Sequence, residues 1–185
     1  DDHGPGAYVY PTDAVYVPGT FDLREVSLRV RGKVVEIKVR FEAPLRDPWN
    51  SPAWGGRGFS LQQVHLYLDR DATKANGHRD TLPGTGAVFG PERGWETLVI
   101  LSPLPVAKVR AALSEVDPSW RSRVVIPRRL SVKGDTLVAT VSRRALGGTP
   151  SDGWALQAVS VGMDAFAKTG SMGIRVVNGL AGANR

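Results

Sequence analysis

Apolar and polar residues alternate with a period of two over residues 23–42. This period sends successive side chains to opposite faces of a β-sheet. One set is valine, leucine, isoleucine and phenylalanine, and the other is mainly serine, glutamate, lysine and arginine. With Gly32-Lys33 as the turn, the pattern predicts a hairpin with one face in a core and the other in water.

Similar patterns predict further strands at residues 59–69, 95–101, 123–127, 136–142, 154–162 and 174–178, with Gly134-Asp135 as a second hairpin turn. Residues 105–116 have apolar positions at helical spacing, and residues 143–146 could form one turn. Two long loops, 43–58 and 70–94, remain. The expected fold is mainly β, an antiparallel two-sheet β-sandwich, jelly-roll-like, with at most one or two short helices.

Composition narrows the functional classes. A chain of 185 residues is expected to form a single domain over residues 1–185. Cysteine is absent, which excludes disulfides, thiolate metal sites and a cysteine nucleophile. The three histidines lie far apart and no catalytic motif is present, so we do not expect an enzyme. His65 falls on the face opposite Val64 and Leu66, which favours a solvated or hydrogen-bonded side chain.

The net charge of +6 would suit an anionic partner. The basic residues are scattered singly along alternating segments, however, so no nucleic-acid binding is expected. No apolar run is long enough for a membrane span, and we expect no membrane insertion.

Tryptophans in the first long loop are candidates for binding. Trp49 and Trp54 lie among prolines and glycines that favour a surface position. An exposed indole can stack on a sugar ring while neighbouring polar groups fix its orientation. Either tryptophan could instead plug the open end of the sandwich. Trp95 is the first residue of an apolar strand. One interpretation makes it a core residue, and the other makes it a sugar contact. The candidate hydrogen-bonding residues are Asn50, Arg57, Gln62 and Gln63.

Two acidic segments could bind a hard cation. Asp1 and Asp2 precede a glycine turn, and Asp69 and Asp71 lie two residues apart at the end of a strand. Calcium prefers such oxygen ligands in irregular loops. Neither spacing is that of an EF-hand, so solvated carboxylates are the alternative.

Residues 1–12, DDHGPGAYVYPT, followed by VPGTFDL at residues 17–23, resemble the start of the C-terminal module of glucodextranase. The resemblance continues through Pro48-Trp49, residues 58–69 and residues 162–164, and spans nearly the whole chain. It implies a β-sandwich related to family-nine carbohydrate-binding modules and DOMON-type domains, attached to extracellular glucan-degrading enzymes. Related modules bind calcium structurally and hold a sugar between tryptophans. The resemblance therefore favours Asp1 and Asp2 as calcium ligands and Trp54 as a sugar contact.

Three functional hypotheses follow. The first is a non-catalytic, extracellular or cell-envelope module that binds glucan or cell-wall polysaccharide and is stabilised by calcium. The second is a structural domain that packs on a parent catalytic domain or a surface-layer partner. The third is a DOMON-type domain with b-haem on His65, Met163 or Met172. Haem is the least favoured cofactor, because no attachment motif exists and the methionines could simply fill core gaps.

Overall fold

A computed structural model describes residues 13–116, 118–164 and 172–175. These residues contain two four-stranded sheets, which confirms the predicted mainly β fold. The strands are β1 (Leu23–Arg31), β2 (Val34–Phe41), β3 (Gln62–Asp69), β4 (Thr97–Leu101), β5 (Val124–Val125), β6 (Arg129–Lys133), β7 (Thr136–Ser142) and β8 (Ala155–Gly162).

The first sheet has the strand order β1-β2-β7-β6, and the second has the order β5-β4-β3-β8. Both predicted hairpin turns are confirmed, because β1 pairs with β2 across Gly32-Lys33 and β6 pairs with β7 across Gly134-Asp135. The pairing is antiparallel except between β4 and the two-residue strand β5, which run parallel. Of the strand predicted at residues 174–178, the structure describes Ile174 and Arg175, and Ile174 forms an isolated bridge with Met163.

Helices are few, as the sequence predicts. Helix α1 (Val106–Ser114) lies within the predicted helical segment, and a second short helix, α2 (Pro118–Arg121), follows it. A single 3₁₀ turn at Ser51–Trp54 interrupts the loop 43–58, where no helical structure was predicted. Residues 143–146 form a turn.

The two sheets pack face to face through their apolar sides. Val35, Ile37 and Val39 of β2 join Val64 and Leu66 of β3 in one core cluster, and all five are fully buried. Apolar burial of this kind contributes about 25 cal/mol per Å² and is the main favourable term in folding. The alternation in residues 23–42 therefore correctly predicts a hairpin with one buried face, since the opposite face of the first sheet is open to solvent.

The second sheet is covered on both faces. Every residue of β3 and β4 is buried. The face turned away from the first sheet packs against helix α1 and the loops, and forms a second core cluster around Tyr67, Trp95 and Ile100. Trp120 of α2 also packs against this cluster. The described residues therefore form three layers, of which the third consists of loops and the two short helices.

This third layer corrects the interpretation of His65. Its side chain is 0% exposed, and neither ring nitrogen has a hydrogen-bond partner among the described residues. The period-two pattern placed His65 correctly on the face opposite Val64 and Leu66, but that face lies inside the protein. Burial lowers the pKa of His65 to about 3, because the charged imidazolium would lose its hydration.

The buried imidazole predicts a specific dependence of stability on pH. Since the pKa of His65 in the folded state lies below the ordinary value of 6.5, the unfolded chain binds more protons between these two values. Stability from neutral His65 is present above pH 6.5 and is lost as the pH falls. We expect the unfolding free energy of the wild type to fall by about 1.4 kcal/mol per pH unit more steeply than that of His65→Leu between pH 6 and pH 4. Urea denaturation at each pH measures this difference, and parallel slopes would contradict it.

Candidate functional site

The tryptophan loop is held by one carboxylate. Asp47 accepts hydrogen bonds from the backbone nitrogen of Ser51 at 2.9 and 3.0 Å and from its hydroxyl at 2.8 Å. The Ser51 hydroxyl in turn accepts a hydrogen bond from the nitrogen of Gly58 at 2.8 Å, and Ser51 is fully buried. These bonds connect the first residue of the 3₁₀ turn to Asp47 before the turn and to Gly58 after it, and they fix the loop between these two residues.

The four candidate residues of this loop are partly accessible. Trp49 and Trp54 are half-buried, Asn50 is exposed, and Arg57 is half-buried. The indole nitrogen of Trp54 donates to the carbonyl of Trp49 at 3.3 Å, and the Trp54 ring packs against the second core cluster. Arg57 donates to the carbonyl of Pro127 at 3.0 Å, and burial lowers the pKa of its guanidinium. The loop therefore combines anchoring contacts with some exposed aromatic surface.

Three other candidates lie inside the protein. Gln62, Gln63 and Trp95 are each 1% exposed. The Gln62 amide donates to the carbonyl of Thr20 and the Gln63 amide to that of Met172, while the Trp95 indole nitrogen donates to the carbonyl of Asp80. These side chains donate hydrogen bonds to backbone carbonyls, as buried polar side chains generally do. The core interpretation of Trp95 is the one that agrees with the structure, and none of the three offers a surface to a sugar.

An acidic cluster forms where β3 ends and β4 begins. One carboxylate oxygen from each of Asp69, Asp71 and Glu96 lies within 4.8 Å of the other two. Ligand oxygens bind calcium at about 2.3–2.6 Å, so three oxygens at this separation fit around a single ion. Asp69 and Asp71 were predicted as a pair, and the structure adds Glu96. Asp1 and Asp2 lie outside the described residues.

Each carboxylate of the cluster uses only one of its oxygens in a hydrogen bond. Asp69 accepts from the nitrogen of Asp71 at 3.1 Å, Glu96 from the nitrogen of Arg70 at 2.8 Å, and Asp71 from the side chain of Asn76 at 3.1 Å. The hydrogen bond from Asn76 is the main cause that lowers the pKa of Asp71. The second oxygen of each carboxylate is buried and has no hydrogen-bond partner in the described part of the chain.

Asp69 carries the strongest indication of a missing ligand. Lys74 lies 3.5 Å from a carboxylate oxygen of Asp71, and Arg70 lies 3.9 Å from one of Glu96. Asp69 is 2% exposed and pairs with no cationic side chain among residues 13–116, 118–164 and 172–175. A buried carboxylate without compensation is costly, and a bound cation would provide that compensation.

Trp154 lies beside this cluster. The half-buried indole lines an open pocket of about 370 Å³ together with Arg70, Asp71, Glu96, Gly147, Gly148 and Thr149. It also lines a smaller pocket of about 260 Å³, bounded by Leu28, Leu68, Pro150, Ser151, Asp152, Ala155 and Leu156. The larger pocket falls within the range of about 300–1,000 Å³ that is common for small-molecule sites. One aromatic ring thus borders two cavities, and the larger has a polar lining.

Arg70 joins the cluster to the wall of the larger pocket. Its guanidinium donates to the carbonyl of Gly147 at 3.2 Å. Gly147 has a φ of +84°, and a Cβ on it would lie 2.2 Å from the Arg70 guanidinium. Glycine at this position therefore permits both the left-handed backbone and the close approach of Arg70.

Sequence reasoning missed Glu96 and Trp154 as site residues. Both depend on strand pairing, because the register pairs Leu68 with Thr97 and Asp69 with Ala155. The residue before each of these partners then falls beside the end of β3. The predicted strand ends contained this signal, but alternation alone does not give the register between strands.

The three haem-ligand candidates are all interior. His65 and Met163 are 0% exposed and Met172 is 2% exposed. Both methionines belong to the second core cluster, which agrees with their interpretation as residues that fill core gaps.

A comparison with protein families now identifies the chain. The model of a family described as the C-terminal, SLH-like binding module of glucodextranase matches residues 1–185. The chain belongs to this family. No curated protein sequence matches it.

Membership of the glucodextranase C-terminal module family agrees with the resemblance found in the sequence, and it covers both the tryptophan loop and the pocket at Trp154. The family description assigns a binding role. None of the helices in the described part of this module has the length and apolar character of a membrane span.

The bonds around Ser51 predict that the loop depends on Asp47. Replacing Asp47 with alanine removes three hydrogen bonds to Ser51 and leaves buried donors unsatisfied. We expect the unfolding free energy to fall by about 1–3 kcal/mol, measured by urea denaturation. Asp47→Asn is the control, because its amide oxygen can still accept a hydrogen bond and should retain part of the stability. Wild-type stability in Asp47→Ala would refute this role.

Proposed function

We propose that this chain is a non-catalytic module that binds glucan or cell-wall polysaccharide outside the cell and attaches its parent enzyme to that polymer. Its membership of a family of SLH-like binding modules supports attachment at the cell envelope. The observation that carries the proposal is the position of Trp154 between two open pockets, with charged groups and a threonine hydroxyl in the larger one.

This arrangement suits a carbohydrate for two physical reasons. The apolar face of an indole matches the C–H face of a sugar ring, and Trp154 is only half-buried. The Arg70 guanidinium can donate hydrogen bonds to sugar hydroxyl groups, and the hydroxyl of Thr149 in the same pocket can donate and accept them. Because the two pockets share Trp154, they suit an oligosaccharide better than a single sugar unit.

The tryptophan loop is the second possible platform. Trp54 and Trp49 retain half-exposed rings, with Asn50 and Arg57 nearby in sequence. Trp54 is partly committed to the second core cluster and to the carbonyl of Trp49. Trp154 also packs against a core cluster, the first one, but it borders two open pockets. It is therefore the preferred platform, and the two tryptophans can be separated by experiment.

Paired alanine variants test which tryptophan binds the glycan. We expect isothermal titration calorimetry with isomalto-oligosaccharides and soluble cell-wall polysaccharide to show binding by the wild type. Trp154→Ala should weaken it at least about 30-fold, which corresponds to about 2 kcal/mol for an aromatic hot spot. Trp54→Ala should bind as the wild type does.

The opposite pattern, with loss only in Trp54→Ala, would move the site to the tryptophan loop. No heat signal with any glycan, from folded wild-type protein, would refute glycan binding. Packing on a catalytic domain or a surface-layer partner would then be the better hypothesis.

Calcium bound at Asp69, Asp71 and Glu96 forms the second part of the proposal. The support is the separation of their oxygens and the buried, unpartnered oxygen of Asp69. Calcium accepts irregular oxygen shells and retains waters, which suits three carboxylates at a loop. The ion would hold the end of β3 against the start of β4, at the wall of the pocket that Trp154 lines.

Thermal unfolding tests the calcium site. We expect a calcium concentration about 100 times the dissociation constant to stabilise the protein by about 2.7 kcal/mol relative to chelator, or roughly 5–10 °C in Tm. Asp69→Asn should abolish the response. Asp152→Asn, which removes an exposed carboxylate from the neighbouring pocket, should retain it. Equal Tm values with calcium and with chelator in the wild type would refute the site.

A further inference from the structure

The solvent face of the first sheet collects cations that are separate in the sequence. Antiparallel register places outward side chains directly opposite one another, as in the row Arg29, Glu36, Thr140 and Arg129. Three of its strands, β1, β2 and β6, contribute six cationic and two anionic side chains to this face: Arg29, Arg31, Lys38, Arg40, Arg129, Lys133, Glu25 and Glu36. The whole chain has a net charge of +6, so this face holds a large share of the positive excess.

The two carboxylates neutralise only the middle of the face. Glu36 lies 3.8 Å from Lys38, and Glu25 lies 3.6 Å from Arg40. The four remaining cations lie on the outer strands, β1 and β6, and are exposed. In the ranges that the structure describes, none of these four forms an ion pair. They are Arg29, Arg31, Arg129 and Lys133.

The rest of the face is small and polar. Its uncharged paired outward positions are mainly serine and threonine, and Val34 and Val138 are the two apolar residues among them. Neighbouring strands lie about 4.8 Å apart, so the outer strands are separated by roughly 14 Å. The result is a hydrophilic surface with two rows of unpaired cations, one on each outer strand.

We infer that this face binds a polyanionic polysaccharide, a cell-wall polymer that carries carboxylate or phosphate groups. The charge complementarity and the hydroxyl groups between the cationic rows carry the inference. It is a second surface, distinct from the pocket at Trp154, and it requires neither that pocket nor the calcium site.

The composition of the face favours a polysaccharide over other polyanions. The paired outward positions include no aromatic side chain, so stacking on nucleic-acid bases has no platform there. The face also lacks the large apolar side chains that insert into a lipid interface. The serine and threonine hydroxyls suit hydrogen bonds to sugar hydroxyls.

Charge-matched variants test the inference. One variant changes Arg29, Arg129 and Lys133 on the face to glutamine, and the control changes Arg93, Lys108 and Arg110, which are exposed elsewhere, to glutamine. Both lose three positive charges and keep long polar side chains. Polygalacturonate serves as the carboxylate probe and a phosphate-bearing teichoic acid as the phosphate probe. Neutral dextran is the uncharged reference, and it is measured on Trp154→Ala so that the glycan pocket does not contribute. Binding is measured by calorimetry at 50 and 300 mM NaCl.

We expect the wild type to bind at least one anionic probe, with at least tenfold lower affinity at 300 mM than at 50 mM NaCl, because salt screens exposed charges. The face variant should lose at least tenfold in affinity at 50 mM, and the control variant less than threefold. Trp154→Ala should retain this binding, so failure of the glycan pocket and failure of this surface are distinguishable.

Three outcomes would overturn the inference. Absence of binding to both anionic probes would do so directly. Equal losses in the two charge-matched variants would show that only net charge matters. Tighter binding of duplex DNA or of anionic lipid vesicles than of either polysaccharide probe would assign the surface to a different partner.

Discussion

The burial of β3 on both faces is the constraint on which the rest of the structure depends. All eight residues of this strand are buried, although four of them, Gln62, Gln63, His65 and Asp69, are polar or charged. Burial on both faces removes water from these groups, so the surrounding segments have to supply partners. The two amides find carbonyls of distant segments, and the hydroxyl of Tyr67 accepts a hydrogen bond from the nitrogen of Leu82 at 3.0 Å. His65 has no such partner among the described residues, and its burial lowers the pKa so that the imidazole is neutral.

The same burial explains where charged chemistry collects. Charged side chains are excluded from the interior of β3, and the first ones appear where the strand emerges, at Asp69 and Arg70. The chain returns beside this point, because the nitrogen of Glu96 donates to the carbonyl of Leu68 at 3.0 Å. The carboxylates are thus gathered at the boundary between interior and solvent. Their low exposure strengthens electrostatic interactions there, and a cation would be held more firmly than at an open surface.

How much of the fold could be predicted from the sequence depends on what period-two alternation indicates. It identified the hairpin at residues 23–42 because one face of that hairpin is wet and the other dry. It failed for His65, since polar residues opposite Val64 and Leu66 gave the same pattern although that face is covered by a third layer. Alternation also gives no register between distant strands. The pairing of Asp69 with Ala155, which brings Trp154 to the acidic cluster, could not be obtained from it.

The two sheets differ in the part of the chain that the structure describes. The first sheet has one face open to solvent, whereas the second is covered on both faces. The second sheet uses both faces for burial, so its binding chemistry is confined to the strand ends and the loops beyond them, where Trp154 lies. The first sheet uses one face for the core and leaves the other available. Since exposed side chains on that face contribute little to stability, their charge can vary without disturbing the fold. The pocket is different, because Asp69 is buried and its neighbours are tied to backbone groups. The proposed glycan pocket therefore lies at strand ends whose side chains are fixed by hydrogen bonds, and the proposed polyanion surface lies on the open face, where charge can change at little cost in stability.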